Sequence, residues 1–249
     1  MFDDLPFFLE TLLAGVPLTI GATVGGIAIA AVMSFVAGLA MLSRLRLVRG
    51  IARVYVEIWR GTSEVVQLFW IFFVLPILVG YDIVPLAAGI GVLGLNFGAY
   101  GAEIVRGAVQ SVPKAQREGG IALSLSPAQR MRRVILPQAL VEMVPPFNNL
   151  FIQLLKGSAL LTIITVHEIT YQAREVLERF MAGQALLIWS LVLLLYLLLA
   201  ILITAGMRWI ERRAAALVGR KPSKPRSLRR MIGGSKETQL AASKSGVEA

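Results

Sequence analysis

Five stretches of the chain are almost purely apolar, and each is bounded by polar or charged residues. They cover residues 16–42, 65–79, 83–100, 144–165 and 185–207. A helix rises about 1.5 Å per residue, so about 20 apolar residues cross the hydrocarbon core of a bilayer. The first and last runs are long enough as they stand. The second and third are short and must extend into their flanks. The turn between them is little more than Gly80-Tyr81-Asp82, which predicts a helical hairpin. The fourth run is apolar but carries Asn148, Asn149, Gln153 and Lys156. The pattern predicts an all-α integral membrane protein with about five transmembrane helices.

The stretch REGGIALSLSPAQRMRRVILPQAL, from Arg117 to Leu140, breaks this pattern between the third and fourth runs. It predicts two short helices. Ser111 and Pro113 offer a helix start, and Gly119-Gly120 weakens the run that follows. Ser126-Pro127-Ala128-Gln129 then supplies a cap, a proline at the first helical position and a glutamine at the third, the pattern of a capping box. Ala128, Met131 and Ile135 share one face, Arg130 and Arg133 lie toward the other, and Pro137 ends or kinks the run. Helices of this length are marginal alone. Either they lie on the membrane surface with their arginines at the phosphates, or they dock into another protein. The glycine pair favours the close approach of a neighbour.

Composition supports the membrane reading. Hydrophobic residues make up 56% of the chain and charged residues 16%, and the mean hydropathy is +0.71; soluble domains carry about 25% charge. The absence of cysteine removes thiolate metal sites and disulfides, and the single histidine, His167, argues against a histidine zinc site. The net charge of +10 matters through its placement. Arginines and lysines follow the first, third and fifth runs, whereas the N-terminus and the turn at Asp82 hold only acids. Basic loops stay in the cytoplasm. The expected topology therefore has the N-terminus outside, the C-terminus inside and the two short helices of the polar loop on the cytoplasmic side. Asp3, Asp4 and Glu10 precede the first run, which is too long for a cleavable leader. The expected organisation is an external segment over 1–15, a transmembrane domain over 16–210 with its polar loop at about 111–137, and a basic cytoplasmic tail over 211–249. The tail's composition predicts disorder, as a solvated tail or one drawn to anionic lipid. No nucleic-acid partner is expected.

Small residues mark packing surfaces. Gly21 and Gly25 have GxxxG spacing; Gly26, Ala30, Ser34 and Gly38 are each four apart; Gly91, Gly94 and Gly98 lie in the third run. Such faces let helix backbones approach where apolar burial gives no net drive. Polar residues at depth are the candidate chemistry. Asn149, Gln153 and Lys156 fall within about 60° of one another on a helix. They line a translocation path, or Lys156 snorkels to an interface and the amides bond neighbouring helices. Glu103 and Arg106, at i and i+3, are a local ion pair or a gate. Asn96 lines the path or bonds a neighbouring helix. His167 extends the stripe only if the helix stays regular past Gly157-Ser158.

The chain lacks a G-x-x-x-x-G-K-[ST] phosphate loop and a defensible catalytic triad. It is not expected to hydrolyse ATP, to act as an enzyme, or to bind a metal or cofactor itself.

The polar loop resembles the signature loop of permease subunits of bacterial ABC importers, which runs Glu-Ala-Ala, three residues, Gly, nine residues, Ile-x-Leu-Pro. The matches are Glu118, Val134 at the Ile position, Leu136 and Pro137; Gly119 and Gly120 replace the alanines and Ser124 replaces the glycine. WRGTSEVVQLFWIFFVLP (59–76), GAYGAEIVRGAVQSVPKAQ (98–116), VILPQALVEMVPPFNNLFIQLLKGSAL (134–160) and HEITYQAREV (167–176) resemble the polar amino-acid uptake branch. The stretch 60–76 is most similar to permeases for ectoine and hydroxyectoine. Many members have Lys-Asp-Thr-Ser-Leu where this chain has Lys156-Gly157-Ser158-Ala159-Leu160. The resemblance implies a multi-pass subunit of the bacterial inner membrane that pairs with a second permease, same or homologous. It implies two ATPase subunits carrying ATP and Mg, and an external substrate-binding protein. By the same resemblance, the two short helices of the polar loop would be cytoplasmic coupling helices. Glu118, Gly119, Gly120, Ser124, Leu136 and Pro137 would couple to the ATPase, and Asn96, Glu103, Asn149, Gln153 and Lys156 are the substrate-path candidates. A self-contained secondary transporter or channel is the rival class, with the stripe of the fourth run as its site. A membrane scaffold would leave that stripe unexplained.

Overall fold

The computed structural model describes residues 4–179 and 181–217. Helix α1 (Leu5–Ala40) is followed by α2 (Arg46–Gly61), α3 (Glu64–Val79), α4 (Pro85–Ser111), α5 (Lys114–Ala122), α6 (Pro127–Ile164), a short α7 (Ile169–Tyr171) that runs on as a π-helical stretch (Gln172–Glu178), and α8 (Ala185–Leu217). Helices α1, α4, α6 and α8 are each long and apolar enough to cross a bilayer. Helices α2 and α3 meet the same test only as a pair, bent by 102° at their junction. The expected second span is thus the second half of a broken one. The hairpin turn is where expected, and Gly80 takes the left-handed conformation (φ 75°) that closes α3.

Two boundaries move. Helix α1 begins at Leu5, so residues 5–15 belong to the first helix and not to a separate segment. Helix α8 continues past 210 to Leu217, and the remainder of the expected basic tail, 218–249, lies outside the described residues.

Proline does less damage than its chemistry suggests. Pro137 does not end the helix, and Gly119-Gly120 does not weaken α5, which runs through both. Proline lacks an N–H and its ring collides with the carbonyl four residues back. A wider π turn relieves both problems. One such turn, Met131–Ile135, lies just before Pro137, and another, Trp70–Val74, just before Pro76.

The centre of the fold is the seam between α1 and α4. Gly26, Ala30, Ser34 and Gly38 meet Gly94, Gly98 and Ala102 across it. A Cβ on Gly94 would lie 2.5 Å from Ile29 Cβ, and one on Gly38 2.7 Å from the Ala102 carbonyl oxygen. The Ser34 hydroxyl donates to Ala30 O at 2.5 Å and lies 3.3 Å from Gly98 O. Gly21 of the expected GxxxG pair, and Gly91, face open space instead. The small-residue stripe serves contact within the chain, and α6 packs beside it through Met143, Phe147, Leu150 and Leu154.

The segment after α6 is fixed by one buried carboxylate. Ser158–Ile164 tightens to a 3₁₀ turn and Thr165 is left-handed (φ 60°). The helical stripe therefore stops short of His167, which is exposed against the Tyr171 ring at 4.4 Å. Glu168 is fully buried. One oxygen accepts from Thr162 Oγ1 (2.6 Å) and Tyr171 N (2.8 Å), the other from Thr170 N (2.9 Å) and the Tyr196 hydroxyl (2.9 Å). Burial pushes its pKa up from the ordinary carboxylate value, and these four donors oppose that shift. Gly15 lets α1 reach this turn, since a Cβ there would be 2.7 Å from Ile169 N, and Thr19 Oγ1 accepts from that same N–H at 3.1 Å. In Glu168→Gln, either orientation of the amide turns its NH2 toward a backbone N–H, leaving Thr170 N or Tyr171 N unpaired. A buried unpaired donor costs about 1–3 kcal/mol. Glu168→Gln should melt at a clearly lower temperature in detergent, and a melting curve that overlays the wild type would show that the carboxylate is not a fastener.

Candidate translocation site and coupling surface

The break between α2 and α3 is held open by hydrogen bonds. The last carbonyls of a helix lack intrahelical partners. The Trp59 carbonyl, in the last turn of α2, accepts from Asn96 Nδ2 and from Gln67 Nε2, both at 2.9 Å. Asn96 Nδ2 also donates to Gln67 Oε1 at 2.9 Å, and Gln67 Nε2 reaches Thr62 Oγ1 at 2.6 Å. The Tyr55 hydroxyl donates to Leu95 O at 2.7 Å, pinning α2 to α4 one turn below. Asn96 is therefore a helix-to-helix fastener as well as a lining residue.

A cavity of about 580 Å³ opens at this break. Thr62, Ser63, Glu64, Asn96, Tyr100, Gln153 and Lys156 line its polar side. Of the five path candidates, the structure brings Asn96, Gln153 and Lys156 together. Asn149 is exposed one turn along α6 and does not line the cavity. Glu103 lies in a second cavity. The Glu64 carboxylate and the Lys156 ammonium face one space, and neither is in a hydrogen bond or ion pair with any other described residue. An unpaired charge at bilayer depth costs at least about 2.5–3.5 kcal/mol. Two of opposite sign around one space suit a ligand that carries both signs.

The residues missed from sequence are Thr62, Ser63, Glu64 and Tyr100. The available signal was Gly61-Thr62-Ser63-Glu64, a glycine stop followed by cap-type residues and an acid in the next first turn. An apolar reading of 65–79 as one span hid it.

A second cavity, of about 590 Å³, lies between α2 and α4 on the Arg-rich side of the break. Arg53, Glu57, Arg60, Gly61, Glu103, Arg106 and Gln110 are among its lining residues. Arg106 holds Glu103 Oε2 through Nε (2.8 Å) and Nη2 (2.7 Å), the local ion pair expected from their spacing.

The loop between α4 and α6 is held from both sides. Arg117 Nη2 donates to Val109 O at 2.6 Å, and Gln138 Nε2 to Gln116 Oε1 at 3.4 Å. Glu118, Gly119 and Ser124 are exposed, Gly120 is buried against the Arg130 stem, and Leu136 and Pro137 are half-buried at the root of α6. Ile121 and Leu123 are exposed at 59% and 75%, so the loop presents an apolar face that the rest of the described chain does not cover. The expected capping box is present: Gln129 N donates to Ser126 Oγ at 3.3 Å and Ser126 N to Gln129 Oε1 at 3.0 Å. Helix α5 ends in a Schellman motif, with Leu125 N donating to Gly120 O (3.0 Å) and Ser124 N to Ile121 O (2.8 Å). Ser124 carries the left-handed residue (φ 54°) of that motif, at the position where the resembling loop has glycine.

The chain matches the family model described as binding-protein-dependent transport system inner membrane component over residues 22–216. It is 43% identical over 209 residues to a probable amino-acid ABC transporter permease of Sinorhizobium fredii, covering 82% of this chain and 87% of that one. It is 39% identical over 212 residues to the glutamine transport system permease of Escherichia coli, covering 84% and 95%. A crystal structure of an amino acid ABC transporter with histidines superposes at a TM-score of 0.76 with 28% identity, covering 86% of this chain and 98% of that chain. The chain belongs to the family of inner membrane components of binding-protein-dependent transport systems. It is thus a multi-pass membrane subunit of a transporter and not an enzyme.

A left-handed non-glycine residue is disfavoured by about 1–2 kcal/mol. Ser124→Gly should stabilise the α5 end by about 1 kcal/mol, read as slower hydrogen exchange at the 124 and 125 amides. Unchanged exchange would mean that the turn carries no strain.

Proposed function

We propose that this chain is the permease subunit of an ATP-driven ABC importer for a polar amino acid or a related zwitterionic compatible solute, with ectoine within the class. The observation that carries the reading is the cavity shared by Glu64 and Lys156. Lys156 takes the solute's carboxylate, Glu64 its cationic nitrogen, and the Gln153 amide and Thr62 and Ser63 hydroxyls supply further hydrogen bonds. Asn96 Nδ2 is committed to Trp59 and Gln67, so Asn96 serves mainly to shape the site. The names of the relatives, amino-acid and glutamine permeases, support the same solute class.

Two ATPase subunits, which carry ATP and Mg, dock at the exposed loop that contains Glu118, Ile121, Leu123 and the arginines of the π turn. A second permease, the same chain or a homologue, completes the path, and an external binding protein delivers solute. ATP closes the ATPase pair, α5 and the root of α6 transmit that motion, and the spans alternate between two states with different contacts.

A gentle pull-down from native membranes should recover a stoichiometric partner bearing a phosphate loop; recovery of this chain alone would sink the importer reading. With the recovered complex in proteoliposomes, uptake of labelled L-glutamine, L-cystine and ectoine gives the solute. Lys156→Met should raise KM for it by about tenfold, equivalent to 1.4 kcal/mol of lost binding, with ATPase recovery unchanged. Equal KM would remove Lys156 from the path. Glu118→Lys should instead leave insertion intact and reduce ATPase recovery or solute-stimulated hydrolysis. Wild-type coupling in that variant would count against docking at the loop.

A further inference from the structure

The two cavities meet at the α2–α3 break, where the Arg60 and Tyr100 side chains are in contact. Tyr100 lines the upper cavity and Arg60 the lower one, and the Arg60 guanidinium sits 5.0 Å from the centre of the Tyr100 ring. The chain itself passes between the cavities at the break, with Gly61 below and Thr62 above. Arg60 is weakly held. Its approach to Glu103 is 3.9 Å, too long for a hydrogen bond, while Arg106 already takes the other oxygen of Glu103 at 2.7 Å. A partly exposed cation–π contact contributes about 0.5–1 kcal/mol. Gly61, whose Cβ side is open, follows it directly at the end of α2. Among the described residues the guanidinium is therefore held on the tyrosine face only by these two weak contacts. Below it, Arg53 and Arg106 join Arg60 against Glu57 and Glu103, so the lower cavity has an excess of positive charge.

We propose that the lower cavity is a second subsite, one that takes carboxylates, and that Arg60 is the gate that closes it off from the upper cavity. In the closed position Arg60 covers Tyr100. When a carboxylate arrives from above, the guanidinium exchanges the ring and the long Glu103 contact for a bidentate pair with that anion, which is the stronger interaction. The swing carries the anion past the break, toward Arg53 and Arg106. No bond is made or broken. The assignment of the anion as the transported solute's carboxylate rests on the function proposed above; the gate and the charge preference do not.

The chain has no cysteine, so a single introduced cysteine is its one labelling site, read on this chain after the subunits are separated. Ser63→Cys places a thiol in the upper cavity and Gln110→Cys one in the lower. Both are expressed with the whole transporter, in inverted membrane vesicles. They are treated with methanethiosulfonate-ethylsulfonate, whose sulfonate stands in for a carboxylate, or with its cationic trimethylammonium counterpart. Adding Arg60→Ala should speed sulfonate labelling of Ser63→Cys by about tenfold while the amount of assembled transporter stays unchanged, which shows that the variant is folded. Arg60→Lys, which keeps the charge but loses the planar stack, should fall between. At Gln110→Cys the ratio of anionic to cationic labelling, scaled to the ratio for a free thiol, should exceed one by about tenfold and fall in Arg53→Ala. Equal rates at Ser63→Cys with and without Arg60 would overturn the gate. A scaled ratio of one at Gln110→Cys would overturn the anion subsite. Neither readout uses a transported solute, so failure of the uptake assay above is read separately.

Discussion

Everything in this fold depends on how closely α1 and α4 approach. In a bilayer the lipid tails are as apolar as leucine, so side-chain burial gives little net drive and helices are held by close contact and by hydrogen bonds. Gly94 under Ile29 and Gly38 under the Ala102 carbonyl leave no room for a Cβ. With those backbones together, Asn96 on α4 comes within reach of the Trp59 carbonyl, and Gly98 makes room for the Tyr55 hydroxyl. The bend in the second span is therefore a consequence of the seam. If α4 stood farther away, the last carbonyls of α2 would lie unpaired in a medium that offers no water.

The bend in turn creates the site. A straight second span would bury Thr62, Ser63 and Glu64 against lipid or neighbours. Broken at Gly61, it turns its end toward α6 and puts Glu64 and Lys156 around one cavity. The same break sets Arg60 at a helix end, between two polar spaces. Beyond the end of α6, buried Glu168 does for the α6–α8 connection what Asn96 does for the second span: it pairs backbone groups that irregular chain leaves without partners, accepting from two N–H groups where Asn96 donates to a carbonyl. Both are polar residues used as fasteners, and both sit where the chain leaves regular helix.

The polar loop shows a different economy. Its two helices are too short to persist alone, yet each end is specified: a full capping box at Ser126, a Schellman end at Ser124, and ties from Arg117 and Gln138 back to α4 and α5. What remains exposed, Ile121, Leu123 and Glu118, is a rigid apolar face with a charge beside it. The loop is ordered from behind and bare in front, and the root of α6 at Leu136-Pro137 is continuous with it; this is the geometry that the coupling role proposed above requires.

Much of this was legible in the sequence because it depends on local order alone. Apolar run length gave the number of spans, the SPAQ stretch gave the capping box, the spacing of Glu103 and Arg106 gave their ion pair, and the resemblance located the glycine-type turn now occupied by Ser124. The bend at Gly61, the partition of the candidate residues into two cavities, and the burial of Glu168 were not legible. Each depends on contacts between residues far apart in the chain: Asn96 with Trp59, Lys156 with Glu64 across a cavity, Glu168 with Tyr196. The errors share a cause as well. Pro137 was expected to end or kink its helix and Gly119-Gly120 to weaken theirs because local propensity says so; a π turn lets the first helix run on past the proline, and tertiary support keeps the second whole. The sequence by itself determined which segments enter the membrane, because transfer free energy sums over adjacent residues. Only the tertiary structure decided which polar groups face one another, because in hydrocarbon each must find its partner on another helix.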